Sequence, residues 1–192
     1  MADIGYIGEN TDLVLGQEFL TWLWFRSETG NVFRMESGEH SGEPFTVAME
    51  QRISVRGGEG ESQETATVSG SFSPLREARL GLLTGKQVVR CLVRLEKDGM
   101  DWQVSLKAED FSINSLRTPK VARDDGDEDP EGLFLEKMYL IDLGLDMLDE
   151  MFRQFMLLRL DPAAWNKEAA AVAGWMQHDI SQGAMAAQGD PF

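Results

Sequence analysis

VRCLVRLEKDGMDWQVSLKA, Val89–Ala108, is the stretch whose reading decides the fold. Val89, Cys91, Val93 and Leu95 alternate with polar residues up to Asp98-Gly99, and Trp102, Val104, Leu106 and Ala108 alternate away from it. Asp-Gly tolerates the positive φ that a two-residue hairpin turn demands, so the segment predicts two antiparallel strands. Side chains of a strand point alternately to opposite faces, which makes one face of this pair apolar and the other wet.

The same period extends upstream. In Phe45–Val55 the residues Phe45, Val47, Met49, Ile53 and Val55 face one way, with Gln51 the polar exception, while Thr46, Glu50, Arg52, Ser54 and Arg56 face the other. Val32–Met35 is a further short strand. A third begins after the RGGEGE turn, with Ala66, Val68 and Phe72 on one face. Ser73-Pro74 opens a short helix, serine capping it and proline at its first position, and Gly85 closes it after Thr84.

Helices flank these strands. LVLGQEFLTWLWFRSE, Leu13–Glu28, places Leu15, Phe19, Trp22 and Leu23 on one face, widened by Leu13, Leu20 and Trp24. Thr11 or Asp12 is its N-cap and Gly30 its C-cap. Each large apolar side chain gains roughly 1.5–3 kcal/mol on full burial, so this helix belongs in the core. Leu133–Leu160 reads as a long amphipathic helix presenting Phe134, Met138, Ile141, Leu145, Leu148, Phe152, Phe155 and Met156, with Gly144 softening its middle. Asp161-Pro162 starts a last helix bearing Trp165, Val172, Trp175 and Met176. The expected architecture is α+β: an antiparallel sheet of about five strands, packed on one face by helices that include the aromatic N-terminal helix and the long C-terminal one. Residues 1–178 form one domain, with an acidic loop over 120–132, C-terminal helices over 133–177 and a frayed tail over 179–192.

Composition narrows the function. The 192 residues carry a formal charge of −15 and are 42% hydrophobic, enough for a core and for solubility. A spanning helix needs about 20 apolar residues with few charges, and the richest run contains Glu18 and ends at Arg26 and Glu28, so no membrane segment is expected. The start, MADIGYIGENTD, lacks a basic patch and an apolar stretch, which points to the cytoplasm. One cysteine, Cys91, excludes an internal disulfide and a cysteine-rich zinc site, and reads as a buried small hydrophobe.

No catalytic, cofactor or metal constellation stands out. His40 lies in a Ser/Gly/Glu loop and His178 near the tail; no P-loop, Rossmann glycine pattern, HExxH or Asp/Glu-x-Lys triplet occurs. Asp125, Asp127, Asp129 and Glu136 mimic calcium-loop spacing, but Pro130 stands where the loop needs its turning glycine, so the run reads as solvated charge. The wet face of the sheet carries more information. It is expected to display Arg90, Arg94 and Lys107, joined by Arg52 and Arg56 where their strand is in register. Between Lys86 and Lys107 five basic residues oppose three acidic ones, a local +2 (5 − 3) inside the acidic chain. Arginine and lysine interleaved with Ser and Gln suit a phosphate backbone. The same pattern also suits a merely solvated face whose arginines pair with Glu50, Glu96 and Asp101.

LGQEFLTWLWFRSE (Leu15–Glu28) resembles a segment of the long bacterial members of the recombination-associated RdgC family. So do, in the same order, SPLREARLGLLTGKQV (Ser73–Val88), DWQVSLKAEDF (Asp101–Phe111), the Ser-Leu-x-x-Pro step of Ser115–Pro119 and FLEKMYLIDLGLDMLDEMFRQFMLLRLDPAAW (Phe134–Trp165). The resemblance implies a cytoplasmic, nucleoid-associated, non-enzymatic recombination accessory protein that binds duplex DNA with little sequence preference. It also implies ring-like dimers with a basic interior that restrain recombinase filaments. Those long proteins carry a substantial half before the first string, where fourteen residues stand here. The expected partners are therefore duplex DNA, and a second copy or a separate chain supplying that half. The alternative is a protein-interaction module without DNA binding, docking through the Leu133–Leu160 helix or a Met-rich surface around Met147, Met151 and Met156.

Overall fold

The structure, a computed structural model, describes residues 13–57, 64–69, 73–121 and 130–187. In chain order these form α1 (Leu13–Thr29), β1 (Val32–Arg34), β2 (Pro44–Gly57), β3 (Glu64–Ser69), α2 (Ser73–Leu83), β4 (Gln87–Lys97), β5 (Met100–Lys107), β6 (Ile113–Arg117), α3 (Pro130–Leu160) and α4 (Pro162–Ala187). Asp98 and Gly99 take positive φ, 53° and 77°, and set the β4–β5 register: Leu95 faces Trp102, Val93 faces Val104 and Cys91 faces Leu106. All six of those side chains are buried.

The sheet has six antiparallel strands in the order β1-β2-β4-β5-β6, with β3 also on β2. β2 gives its first residues to β1 and its last to β3, along the edge opposite β4. The sixth strand, β6, was not expected. INSLR is short and has a single β-branched residue, so its pairing with β5 decides its conformation.

α1 packs on β2 and β4 and also meets α3 and α4, so it lies between the sheet and the C-terminal helices. Phe19, Leu20, Thr21, Trp22, Leu23, Trp24 and Phe25 are all buried, which leaves this helix no wet face in its middle. Phe19 packs edge-on to Phe152, Trp22 against Phe155, and Trp24 and Phe25 both against Trp175. Buried indoles need acceptors. Trp22 Nε1 donates to Glu168 at 2.9 Å, while Trp24 and Trp175 donate to the two oxygens of Glu28 at 2.8 and 2.9 Å, where Arg79 also binds.

Two glycines mark close approaches. A Cβ on Gly16 would sit 2.0 Å from the Ala108 carbonyl oxygen, which fixes the spacing of α1 from the sheet. A Cβ on Gly144 would lie 2.9 Å from the Trp102 ring, and Trp102 Nε1 donates to the Leu140 carbonyl at 2.8 Å. Gly144 is thus a seat for an indole.

α3 corrects the expected face. Leu148 and Phe155 are buried, and Phe152 and Met156 pack on the core, but Phe134, Met138 and Leu145 are exposed. The buried stripe is Leu140, Leu143, Gly144, Met147, Leu148, Met151 and Phe155, turned by about 100° in the first half of the helix. Met147 and Met151 therefore form no docking surface. Both candidate faces are apolar, and the seat for Trp102 selects between them. α3 begins at Pro130, so Pro130 and Glu131 belong to it, and α4 runs to Ala187, past the Asp179 boundary of the expected tail. The Thr11/Asp12 cap, Phe72 and the Asp124–Asp129 acids lie outside the described residues.

Glu150 pins α3 to the β1 edge. Arg153 Nε and a terminal nitrogen donate to its two oxygens at 3.0 and 2.7 Å, Gln154 donates at 2.7 Å, and Arg153 also pairs with Glu36 at 2.7 Å. Burial works against the Glu150 carboxylate, but the hydrogen bonds and charge of Arg153, with Gln154 and the Glu36 amide, hold its pKa below the ordinary 4.5.

Gly16→Ala should destabilise the fold by about 1–3 kcal/mol or more, because backbone has to move. Gly174→Ala, with nothing within 4 Å of the new Cβ, should stabilise it by up to about 1 kcal/mol. Urea midpoints read both. A carboxyl whose folded pKa is lowered stabilises above its unfolded pKa and loses that contribution as pH falls through the folded value. Glu150→Gln should thus cost about 1–3 kcal/mol at pH 7, with the gap narrowing as the pH falls below the ordinary 4.5 and through the lowered folded pKa.

Candidate nucleic-acid interface

The outer face of the sheet is decided by register. Lys107 stands opposite Arg90, Arg90 opposite Ser54, and Ser54 opposite Thr67, so four strands contribute one transverse row. Irregularities in the β2–β4 pairing, between Met49 and Ile53 and between Ser54 and Val55, flank Ser54 in this row. Such bulges bend a strand and re-aim its side chains. The result is an open cavity of about 220 Å³ lined by Ser54, Arg56, Thr67, Val89, Arg90, Lys107 and Glu109.

Its chemistry is that of an anion cradle. Three cations against one carboxylate leave a net +2 (3 − 1) on the lining. Ser54 and Thr67 hydroxyls lie 2.9 Å apart and share a hydrogen bond, with capacity left for an oxyanion. Arg90 is exposed and has no ion pair with any described residue. Lys107 Nζ lies 3.4 Å from Glu109 and 3.6 Å from Asp110. Hydrogen bonds from the Ser112 side chain and amide hold the Asp110 pKa below its usual range, with a smaller contribution from Lys107.

Three expected contacts, Arg56, Arg90 and Lys107, are thus brought together. Arg94 stands apart, 3.5 Å from Glu50 and 3.9 Å from Asp101, in the solvated pairing that the sequence also allowed. Arg52 pairs with Ser69 through its backbone, and its side chain lies outside the described residues. Lys97 is not on this face at all. Its side chain is 1% exposed and clamped between Glu43 and Asp98. Burial disfavours the Lys97 ammonium, yet the hydrogen bonds and charges of those two carboxylates together raise its pKa.

Reading the sequence missed Arg117. It pairs across to Gln103, which pairs across to Arg94, so a second basic row crosses the same face. Its signal was hidden because β6 was not recognised as a strand.

No group of three or more His, Cys, Asp or Glu among the described residues could hold a metal ion. His40 is held between Tyr139, at 2.9 Å, and Glu43, at 2.8 Å. The His178 side chain and the Asp125–Asp129 part of the calcium-like spacing lie outside the described residues. No helix among the described residues is long and apolar enough to cross a membrane. No protein-family model, curated protein or solved structure matches the chain.

Cys91 is buried, and burial pushes its thiol up to about 12. A maleimide should leave the native protein unlabelled over hours at pH 8 and modify it fully once urea unfolds it.

Proposed function

We propose that this chain is an RdgC-like, non-enzymatic accessory protein of DNA recombination that holds duplex DNA at the nucleoid without reading its sequence. The observation that carries this reading is the row Thr67–Ser54–Arg90–Lys107, with Arg56 beside it, on a sheet face that no described helix covers. Cations and hydroxyls on a pleated surface meet phosphate oxygens at many positions and touch no base edge, so affinity is electrostatic and indifferent to sequence. The order of the RdgC-like strings along the chain supports the same reading independently. We read the basic face as the lining that a ring closed by a second copy would turn toward DNA. A net charge of −15 opposes approach elsewhere, which confines contact to this face.

A fluorescent duplex titrated at rising salt tests the proposal. Three phosphate contacts give a log–log slope of affinity against salt of about −3. Arg56→Glu with Arg90→Glu should weaken binding by more than about tenfold at low salt, and Arg94→Glu by less, since Arg94 stands outside the Thr67–Ser54–Arg90–Lys107 row. Absence of binding at low ionic strength, or indifference to the Arg56/Arg90 pair, would falsify the reading.

A further inference from the structure

The first half of α3 has a wet face made of the wrong residues for water. Phe134 is 61% exposed, Leu135 60%, Met138 41% and Leu145 38%. Phe134, Met138, Ile141 and Leu145 recur at i, i+4, i+7 and i+11, which aligns them as one stripe along the helix. A contiguous apolar stripe of this kind on a soluble domain marks an interaction surface.

Charge identifies what the stripe fits. Asp142, Asp146 and Asp149 recur at i, i+4 and i+7 along one flank of it, and none pairs with a cation among the described residues. From Glu131 to Asp149 the sequence has five carboxylates against Lys137. Partial burial, and then the neighbouring Asp146 charge, raise the pKa of Asp149, so this ridge is under mutual repulsion that a cation would relieve.

No stretch of this sequence outside the described residues supplies the complement. Residues 1–12, 58–63 and 188–192 contain no lysine or arginine, and 122–129 sets Arg123 among five acids. A second copy in antiparallel pairing fares no better. In an antiparallel pairing of two such stripes the flanking ridges meet each other, aspartate against aspartate.

We propose that the Phe134–Asp149 face of α3 is a docking face for a basic amphipathic helix of a partner protein, whose apolar residues cover Phe134, Met138 and Leu145 while its lysines or arginines line Asp142, Asp146 and Asp149. Helix-on-helix recognition at i, i+4, i+7 anchors gives affinity, and the acidic ridge fixes the partner's sign and orientation.

The test uses the full chain and two synthetic helices of about eighteen residues. Both carry leucines at i, i+4, i+7 and i+11; one has lysines along the flank and the other glutamates. By fluorescence anisotropy the lysine helix should bind saturably, about tenfold or more tighter than the glutamate helix, and weaken as salt rises. Met138→Asp should cut that binding about tenfold. Asp142→Lys with Asp146→Lys should reverse the preference between the helices. All three sites are exposed, and unchanged circular dichroism confirms that the variants fold. Duplex binding by Met138→Asp should match the parent, which separates this face from the basic one. No binding, equal binding of the two helices, indifference to Met138→Asp, or a dimer in sedimentation that Met138→Asp dissolves would each overturn the proposal.

Discussion

Everything in this fold follows from a helix that cannot touch water. Seven consecutive residues of α1, Phe19 to Phe25, are buried, including the two indoles of Trp22 and Trp24. A helix buried on one side can lie on the surface of a sheet; one buried all round has to be enclosed. The sheet supplies one wall through β2 and β4, and α3 and α4 supply the other. The enclosure is then sealed by polar side chains at its edges. Glu28 accepts from Trp24 and Trp175, Glu168 accepts from Trp22, and Arg159 pairs with Glu18 at 2.7 Å while lying over Trp165. These contacts let large aromatic side chains be buried without leaving an indole N–H unsatisfied.

That enclosure uses up the helices on one side of the sheet. α1, α2 and α3 all pack against the apolar face, and the opposite face keeps only what its strands display. Because β4 and β5 are tied by a two-residue turn, the polar residues between Val89 and Ala108 have no freedom of register. Arg90 must meet Lys107, just as Cys91 must meet Leu106. The basic row is therefore a by-product of the same alternation that builds the core, and any change of register would bury cations and expose valines.

How much of this the sequence discloses depends on how many interactions decide each feature. The hairpin is legible because alternation and Asp-Gly agree, and α1 because its apolar excess admits no surface position. Arg56, Arg90 and Lys107 are legible as neighbours once the strand period is read. Three features are not. β6 holds its extended form through pairing with β5, which five residues of weak propensity do not announce. α3 is apolar over so wide an arc that the sequence supports two faces, and the choice rests on Gly144 receiving Trp102 from another element. Lys97 counts among the five cations between Lys86 and Lys107, but its parity along β4 matches Leu95, and Glu43 arrives from far upstream to neutralise it.

The parity of Lys97 also explains why an acidic chain can present a basic face at all. Lys97, on the inward parity of β4, is absorbed by carboxylates, whereas on the outward parity Arg94 pairs with Glu50 and Asp101 and Arg90 has no ion pair with any described residue. The surplus negative charge lies elsewhere, with Asp142, Asp146 and Asp149 on the wet side of a helix packed against the sheet's other face. The two surfaces lie on opposite sides of the sheet, with the packed helices between them. On the two proposals, an anionic ligand arriving at Arg90 would meet the local +2 of the cavity lining, while a cationic helix arriving at Asp146 would meet the opposite sign. Segregation by layer would let the two proposed surfaces take ligands of opposite sign without competing.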